Sequence, residues 1–392
     1  MVVLSLSSKR FNCRLELKEK VTFVVGNSAT GKTEMVRRLS SDSSSKHVDV
    51  SNGFSYEVLT SKRFHDSCNN ALRHILYERG LDLVSFNSLD EKTRRSYYCS
   101  YWRDSLNFPF SNSIIIIDDE DFVDSIEFQA FFDCDCSNYY VIINRLHLSR
   151  IGYSVSEVYN YKVDGTNHYL EKRYTPSSTL EGDFDFIVTE GVGSDYIFFK
   201  SWFGERVINP TFSGKLKSGG RTNVVKMITM NKETFRNKHI LVLIDYVAFG
   251  ANFASLISVC KEISANLCVI SSYESFEYML LRSNIVSDNS LGEYVNANRL
   301  KFSSLEVLYT HRLGELTKGT LLSYKKKADD FPVCYYEDCC LNVSYRNNSC
   351  DLRIKFYKKD KFTALLKNTE FSDLIRLRDK RHYTNLNKLE TF

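Results

Sequence analysis

Proline is scarce in this sequence, with four in 392 residues, which argues against long disordered linkers. No apolar run approaches 18 residues and no apolar leader opens the chain, so neither a membrane span nor a secretory signal is expected. Paired C-x-x-C knuckles are missing although the chain holds eleven cysteines. Free thiols in a reducing, cytoplasmic setting are therefore expected. Cys334, Cys339, Cys340 and Cys350 form the densest cysteine cluster, but their spacing fits no common zinc pattern, and core or incidental thiols are the simpler reading. The net charge of +4 is too small to imply a nucleic-acid partner by itself. It is unevenly spread: residues 353–392 hold eleven Lys or Arg against five acids. Such an end reads either as a solvated helix face or as a phosphate-contacting surface.

What is present is ordinary globular composition, 43% hydrophobic and 26% charged, in a chain long enough for two or three domains. Apolar strands alternate with helical stretches: VTFVV before TEMVRRLS, then IIIIDD, YYVIIN, FDFIVTEG, and HILVLID before ASLISVCKEIS. That alternation predicts an α/β fold with a mainly parallel sheet. The polar stretch TPSSTLEGD, residues 175–183, interrupts the periodicity and marks a boundary. The expected organisation is a first α/β domain over 1–178, a second over 183–300, and a small basic α+β region over 301–392.

GNSATGKT, residues 26–33, fits the phosphate-binding pattern G-x-x-x-x-G-K-[ST] completely and lies between an apolar strand and a helix. Gly26, Asn27, Ser28, Ala29, Thr30 and Gly31 supply the curled backbone whose N–H groups cradle phosphate. Lys32 reaches the β- and γ-phosphates, and the Thr33 hydroxyl ligates magnesium. The expected ligand is ATP with Mg2+. The strand SIIIIDDED then places Asp118 to complete the magnesium shell, with Asp119 or Glu120 to orient the attacking water. YYVIINR ends in Asn144 and Arg145, where Asn144 is a candidate sensor of the γ-phosphate. No LSGG-like signature precedes Asp118, and the nearest match, LKSGG at 216–220, comes after it.

The second domain follows an order of its own. Glu190-Gly191 ends a strand and Asp195 follows. Gly219-Gly220 opens a helix, Asp245 ends the strand HILVLID, and Glu274 and Glu277 come later. This order resembles the Toprim domain, and a P-loop ATPase followed by Toprim resembles the OLD (overcoming lysogenisation defect) family of ATP-driven nucleases in anti-phage defence. The resemblance covers roughly residues 1–300 and is more specific in its first half. It implies Glu190 as metal ligand or general acid/base, Asp195 as a supporting acid, Asp245 as the first acid of a D-x-D pair, and Glu274 or Glu277 as the late acid. Together these would hold Mg2+ or Mn2+ for phosphodiester cleavage. Val247 departs from the pattern, because an apolar side chain stands where the second acid of the pair belongs and cannot ligate a metal. Lys215, Lys217, Arg221 and Lys226 add a basic stripe beside the Gly-Gly turn, either solvated charge or a path for a nucleic-acid backbone.

Three function classes follow. The favoured one is an ATP-controlled nuclease of the defence type. Another is a regulatory ATPase whose Toprim-like domain is catalytically silent and binds nucleic acid or a partner protein. The third is a small-molecule or nucleotide kinase. A homo-oligomer or a partner defence protein is expected with either of the first two.

Overall fold

The computed structural model describes residues 1–25, 31–41, 46–103, 109–118, 120–144, 148, 150–174, 184–264, 268–271, 275–282, 286, 288–318, and three short strands at 344–345, 348–349 and 383–385. The chain divides into two compact units, Met1–Tyr174 with Asn296–Leu305, and Thr175–Val295 with Glu306–Phe392. The first division falls at the start of the polar stretch 175–183. The second does not follow the sequence boundary at 300, because Asn296–Leu305 packs with the first unit.

In the first unit, β1 (Val2–Ser8) and β2 (Phe11–Leu17) alternate buried and exposed residues, as strands with one covered face must. They pair antiparallel in register Val2↔Leu17 to Ser8↔Phe11. β3 (Val21–Val25), β6 (Ser113–Asp118) and β7 (Tyr139–Ile143) are apolar almost throughout and buried, the pattern of strands covered on both faces. With β4 (Lys46–Val50), β5 (Ser55–Val58), β8 (Val158–Asp164) and β9 (Asn167–Lys172) they form one nine-stranded sheet, ordered β4-β1-β2-β9-β8-β3-β7-β6-β5. Its β8-β3-β7-β6-β5 half is parallel throughout.

On one face, α1 (Lys32–Ser40) lays Met35, Val36 and Leu39 on Val24, Ile114, Ile116 and Val141. Four further helices among the described residues belong to this unit: α2 (Ser61–Arg79), α3 (Leu83–Ser88), α4 (Glu91–Trp102) and α5 (Ile126–Cys134). Phe64 of α2 stacks on Phe122 at 4.4 Å, and Phe128 and Phe131 of α5 meet it edge-on. The helix starts follow from capping chemistry: Asp90 accepts from the Thr93 amide and Ser125 from the Phe128 amide, each satisfying an orphan donor of the first turn.

The second unit is built on β10 (Phe186–Thr189), β11 (Val207–Ile208), β12 (Ile240–Leu243) and β13 (Cys268–Ser271), in the order β11-β10-β12-β13, all parallel. Tyr383–Asn385 adds an antiparallel edge to β13. The helices are α6 (Ser194–Phe203), α7 (Arg221–Met230), α8 (Lys232–Phe235), α9 (Gly250–Ser264), α10 (Phe276–Arg282), α11 (Leu291–Asn298), which continues into the segment of the first unit, and α12 (Leu305–Thr317). Cys334, Cys339, Cys340 and Cys350 lie outside the described residues. No described helix is long and apolar enough to cross a membrane.

Candidate functional site

In each unit some candidates, Asp118 and Asn144 in the first and Glu190 and Asp245 in the second, lie at the carboxyl ends of parallel strands, where open α/β sheets characteristically bind ligands. In the first unit, Gly26 to Thr30 lie outside the described residues, and the turn is visible from Gly31 onward. Gly31 has φ +85° and ψ 4°, a left-handed conformation that favours glycine. Its carbonyl accepts the Met35 amide at 3.0 Å, so α1 starts at once. Gly31 has no side chain to cap that helix start, and a helix N-terminus of this kind favours an anion. Lys32 is largely buried, whereas Thr33 is exposed.

The strand order brings the remaining candidates alongside. β7 lies between β3 and β6, with Asp118 level with Ile143 and Ile143 level with Val24. The Asn144 amide donates to the Val24 carbonyl at 3.2 Å. Asp118, Asn144 and the strand leading into the glycine-rich turn thus share one edge of the sheet. Thr33 and Asp118 offer a hydroxyl and a carboxylate, the hard oxygen donors that magnesium prefers. Asp119 is outside the described residues. Glu120 accepts the Ser61 hydroxyl at 2.5 Å, which ties it to the start of α2.

Sequence reasoning missed Ser61, and it missed two rings beside Gly31. A Cβ on Gly31 would lie 3.5 Å from the His168 ring and 3.7 Å from Tyr161. His168 stacks on Phe11 with centroids 3.9 Å apart, and burial with the nearby Arg38 charge holds its pKa down. Nothing in the local sequence signals this, because β9 reaches the turn only through pairing with β2 and β8.

In the second unit, Thr189 pairs with Leu243, so Glu190 and Asp245 leave adjacent parallel strands at nearly the same level. The Asp245 amide lies 3.4 Å from Glu190 Oε2. Asp245 Oδ1 accepts the Phe276 amide at 3.1 Å, which caps α10, and Glu277 is buried one residue further on. Asp195 Oδ2 accepts the Gly191 amide at 2.8 Å. A Cβ on Gly191 would sit 2.2 Å from that carboxylate, so the Glu190-Gly191 turn closes over Asp195 only because residue 191 is glycine. The Gly-Gly turn has a comparable cause: a Cβ on Gly219 would stand 2.8 Å from the Glu190 carbonyl, and Gly220, at φ +109°, donates its amide to that carbonyl at 2.9 Å.

Burial dominates the electrostatics here. It pushes the Glu190 carboxyl up to about 8, opposed by Arg221 and reinforced by Glu306 and Asp195. Burial raises Asp195 as well, and Glu277 adds to it. Arg221 Nε stands 4.0 Å from Glu190 Oε1, and its guanidinium also donates to the Ala248 carbonyl. Val247 is 1% exposed in the turn after β12. Glu274 is outside the described residues. Among the described residues, no three His, Cys, Asp or Glu side chains gather in a group that would hold a metal ion. Three of the expected acids, Glu190, Asp195 and Asp245, each have an oxygen facing a backbone amide.

No protein-family model, curated protein or solved structure matches the chain.

Proposed function

We propose that the first unit binds and hydrolyses a nucleoside triphosphate, with ATP as substrate and magnesium held by Thr33 and Asp118, and that this cycle regulates the second unit. The observation that carries the reading is the β3-β7-β6 adjacency, which aligns Asp118 and Asn144 with the strand entering the glycine-rich turn. Lys32 and the first amides of α1 hold the phosphates, Asn144 contacts the γ-phosphate, and Glu120 or Asp119 orients water.

For the second unit, the geometry favours a Toprim-like module that is silent in metal-dependent cleavage and binds nucleic acid or a partner protein. Support comes from the buried Val247 and from the carboxylates engaged by the Gly191, Asp245 and Phe276 amides. The nuclease reading is supported by the adjacent strand-end positions of Glu190 and Asp245. Both readings place the chain near the OLD-like defence proteins, acting as a homo-oligomer or with a partner protein.

The test is phosphate release from ATP and magnesium by wild type and Lys32→Ala, alongside plasmid DNA and single-stranded RNA incubated with manganese and ATP. Lys32-dependent phosphate release with intact nucleic acid is the expected result. Cleavage lost in Asp245→Asn would restore the nuclease reading. Transfer of phosphate to a small molecule instead of water would indicate a kinase.

A further inference from the structure

Apart from the phosphate-binding edge, the first unit holds a pair of cysteines in contact across two helices. α4 and α5 are locked together by aromatic packing, with Trp102 meeting Phe131 edge-on at 5.3 Å. The end of α5 is pinned by the buried Lys20, whose Nζ donates to the Phe132 and Asp135 carbonyls at 2.9 and 2.6 Å. This fixed frame brings Cys99 of α4 beside Cys134, the last residue of α5. The Cys134 thiol donates to the Cys99 carbonyl at 3.4 Å, and Cys99 Sγ lies 3.9 Å from the Ala130 carbonyl. Both are partly exposed, so small oxidants reach them.

The two sulfurs differ in character. The hydrogen bond from Cys134 pulls the Cys99 thiol down to about 7 against the effect of burial, with the Arg95 and Arg103 charges assisting. Cys134 is pushed up by the same contact and by burial. A thiolate beside a protonated thiol is the arrangement of an attacking and a resolving cysteine. Cys13 and Cys68 are, by contrast, buried and pushed up to about 12, which makes them poor nucleophiles.

We propose that Cys99 and Cys134 form a reversible, peroxide-responsive disulfide that staples α4 to the end of α5. The Cys99 thiolate attacks one oxygen of hydrogen peroxide, an S–O bond forms as O–O breaks, and hydroxide leaves. Cys99 is thereby oxidised by two electrons to a sulfenic acid. The Cys134 sulfur then attacks the Cys99 sulfur, and S–S forms as S–O breaks. The hydroxyl departs with the Cys134 proton as water. A dithiol reductant reverses the bond. The closed segment contains β6 with Asp118, so oxidation constrains the strand that carries the proposed magnesium ligand. The cysteine pair itself does not depend on that assignment.

The experiment treats the reduced full chain with one equivalent of hydrogen peroxide, blocks residual thiols with N-ethylmaleimide, and maps the digest by mass spectrometry without reductant. The expected product is a Cys99–Cys134 peptide pair lighter by two hydrogens and restored by dithiothreitol. The melting temperature of the oxidised chain should rise by roughly 5 °C. In Cys134→Ser, dimedone should trap the sulfenic acid on Cys99. Oxidation of the exposed Cys136 ahead of Cys99, Cys99 passing to sulfinic acid without a crosslink, or Cys99 joined to another cysteine would each overturn the proposal. The wild-type map decides by itself if the serine variant does not fold.

Discussion

The backbone amide of Asp245 faces the carboxylate of Glu190, 3.4 Å from Oε2, so one acid of the second unit is engaged by the main chain of the other. The Asp245 carboxylate in turn accepts the Phe276 amide. These contacts link the end of β10 to the end of β12, and the end of β12 to the start of α10. A charged metal-ligand set would be expected to repel itself when empty. Here burial raises Glu190 toward its neutral form, which lowers that repulsion without a cation.

Glu190 should therefore make the second unit sensitive to alkaline pH. Its folded pKa is raised, so the stability linked to its neutral form is complete below the unfolded value and is lost as pH rises through about 8. Thermal melts between pH 6 and 9 should show a falling midpoint for wild type and a flatter profile for Glu190→Gln. Manganese should leave the wild-type midpoint unchanged at pH 7. A manganese-induced rise that Glu190→Gln abolishes would mean that these acids do hold metal.

Lys32→Ala should abolish tight ATP binding, because Lys32 begins α1 directly after the left-handed Gly31 and would supply the charge of the proposed phosphate cradle. Asp118→Asn should keep binding and lower turnover by about 100-fold or more, since magnesium is misplaced while the cradle persists. Fluorescent-nucleotide titration paired with phosphate release separates the two effects. Unchanged turnover in both variants would remove the assignment.

Much of this architecture was legible in the sequence. VTFVV, IIIID and YYVII are continuous apolar runs, and only strands covered on both faces need them. The glycines at 191, 219 and 220 stood out as well, although their cause is long-range: Gly219 is glycine because the Glu190 carbonyl passes 2.8 Å from where its Cβ would lie. The return of Asn296–Leu305 to the first unit was not legible. It depends on tertiary contacts, among them Arg299 donating to the Lys18 carbonyl and facing Glu19 at 3.8 Å, and no change in composition accompanies it. The Ser61–Glu120 and Gly31–His168 neighbours were hidden for the same reason, being set by strand order.

A second pH effect is expected in the first unit. Glu157 is 3% exposed, and burial, reinforced by the Glu19 charge, pushes its carboxyl up to about 7. Raised above its unfolded value, it favours the fold at low pH, and that contribution disappears as pH rises through 7. Glu157→Gln keeps an acceptor for the Tyr159 hydroxyl, now 3.3 Å from Oε2, and cannot ionise. Urea unfolding should show the variant more stable than wild type by about 1–2 kcal/mol at pH 8 and nearly equal at pH 5. Equal stability at pH 8 would show that Glu157 carries no raised pKa.

Val247 provides the sharpest test of the second unit. The turn that holds it is closed by the Ala248 amide on the Asp245 carbonyl at 3.0 Å and by Arg221 on the Ala248 carbonyl. The side chain is 1% exposed, so it fills the core beneath the turn. Val247→Asp, which would complete a D-x-D pair on paper, places a carboxylate in apolar surroundings and should cost about 3 kcal/mol or more. Val247→Thr, with nearly the same shape, should cost about 1–2 kcal/mol through its buried hydroxyl. The decisive measurement is the Val247→Asp melting temperature with and without manganese. A ligand that binds only the folded state must raise it, so recovery toward wild type would mean that the acid reaches a metal shared with Asp245 or Glu190. The expected outcome is no recovery, because the neighbouring Glu190 and Asp245 carboxylates already face backbone amides and the new one would be buried away from solvent.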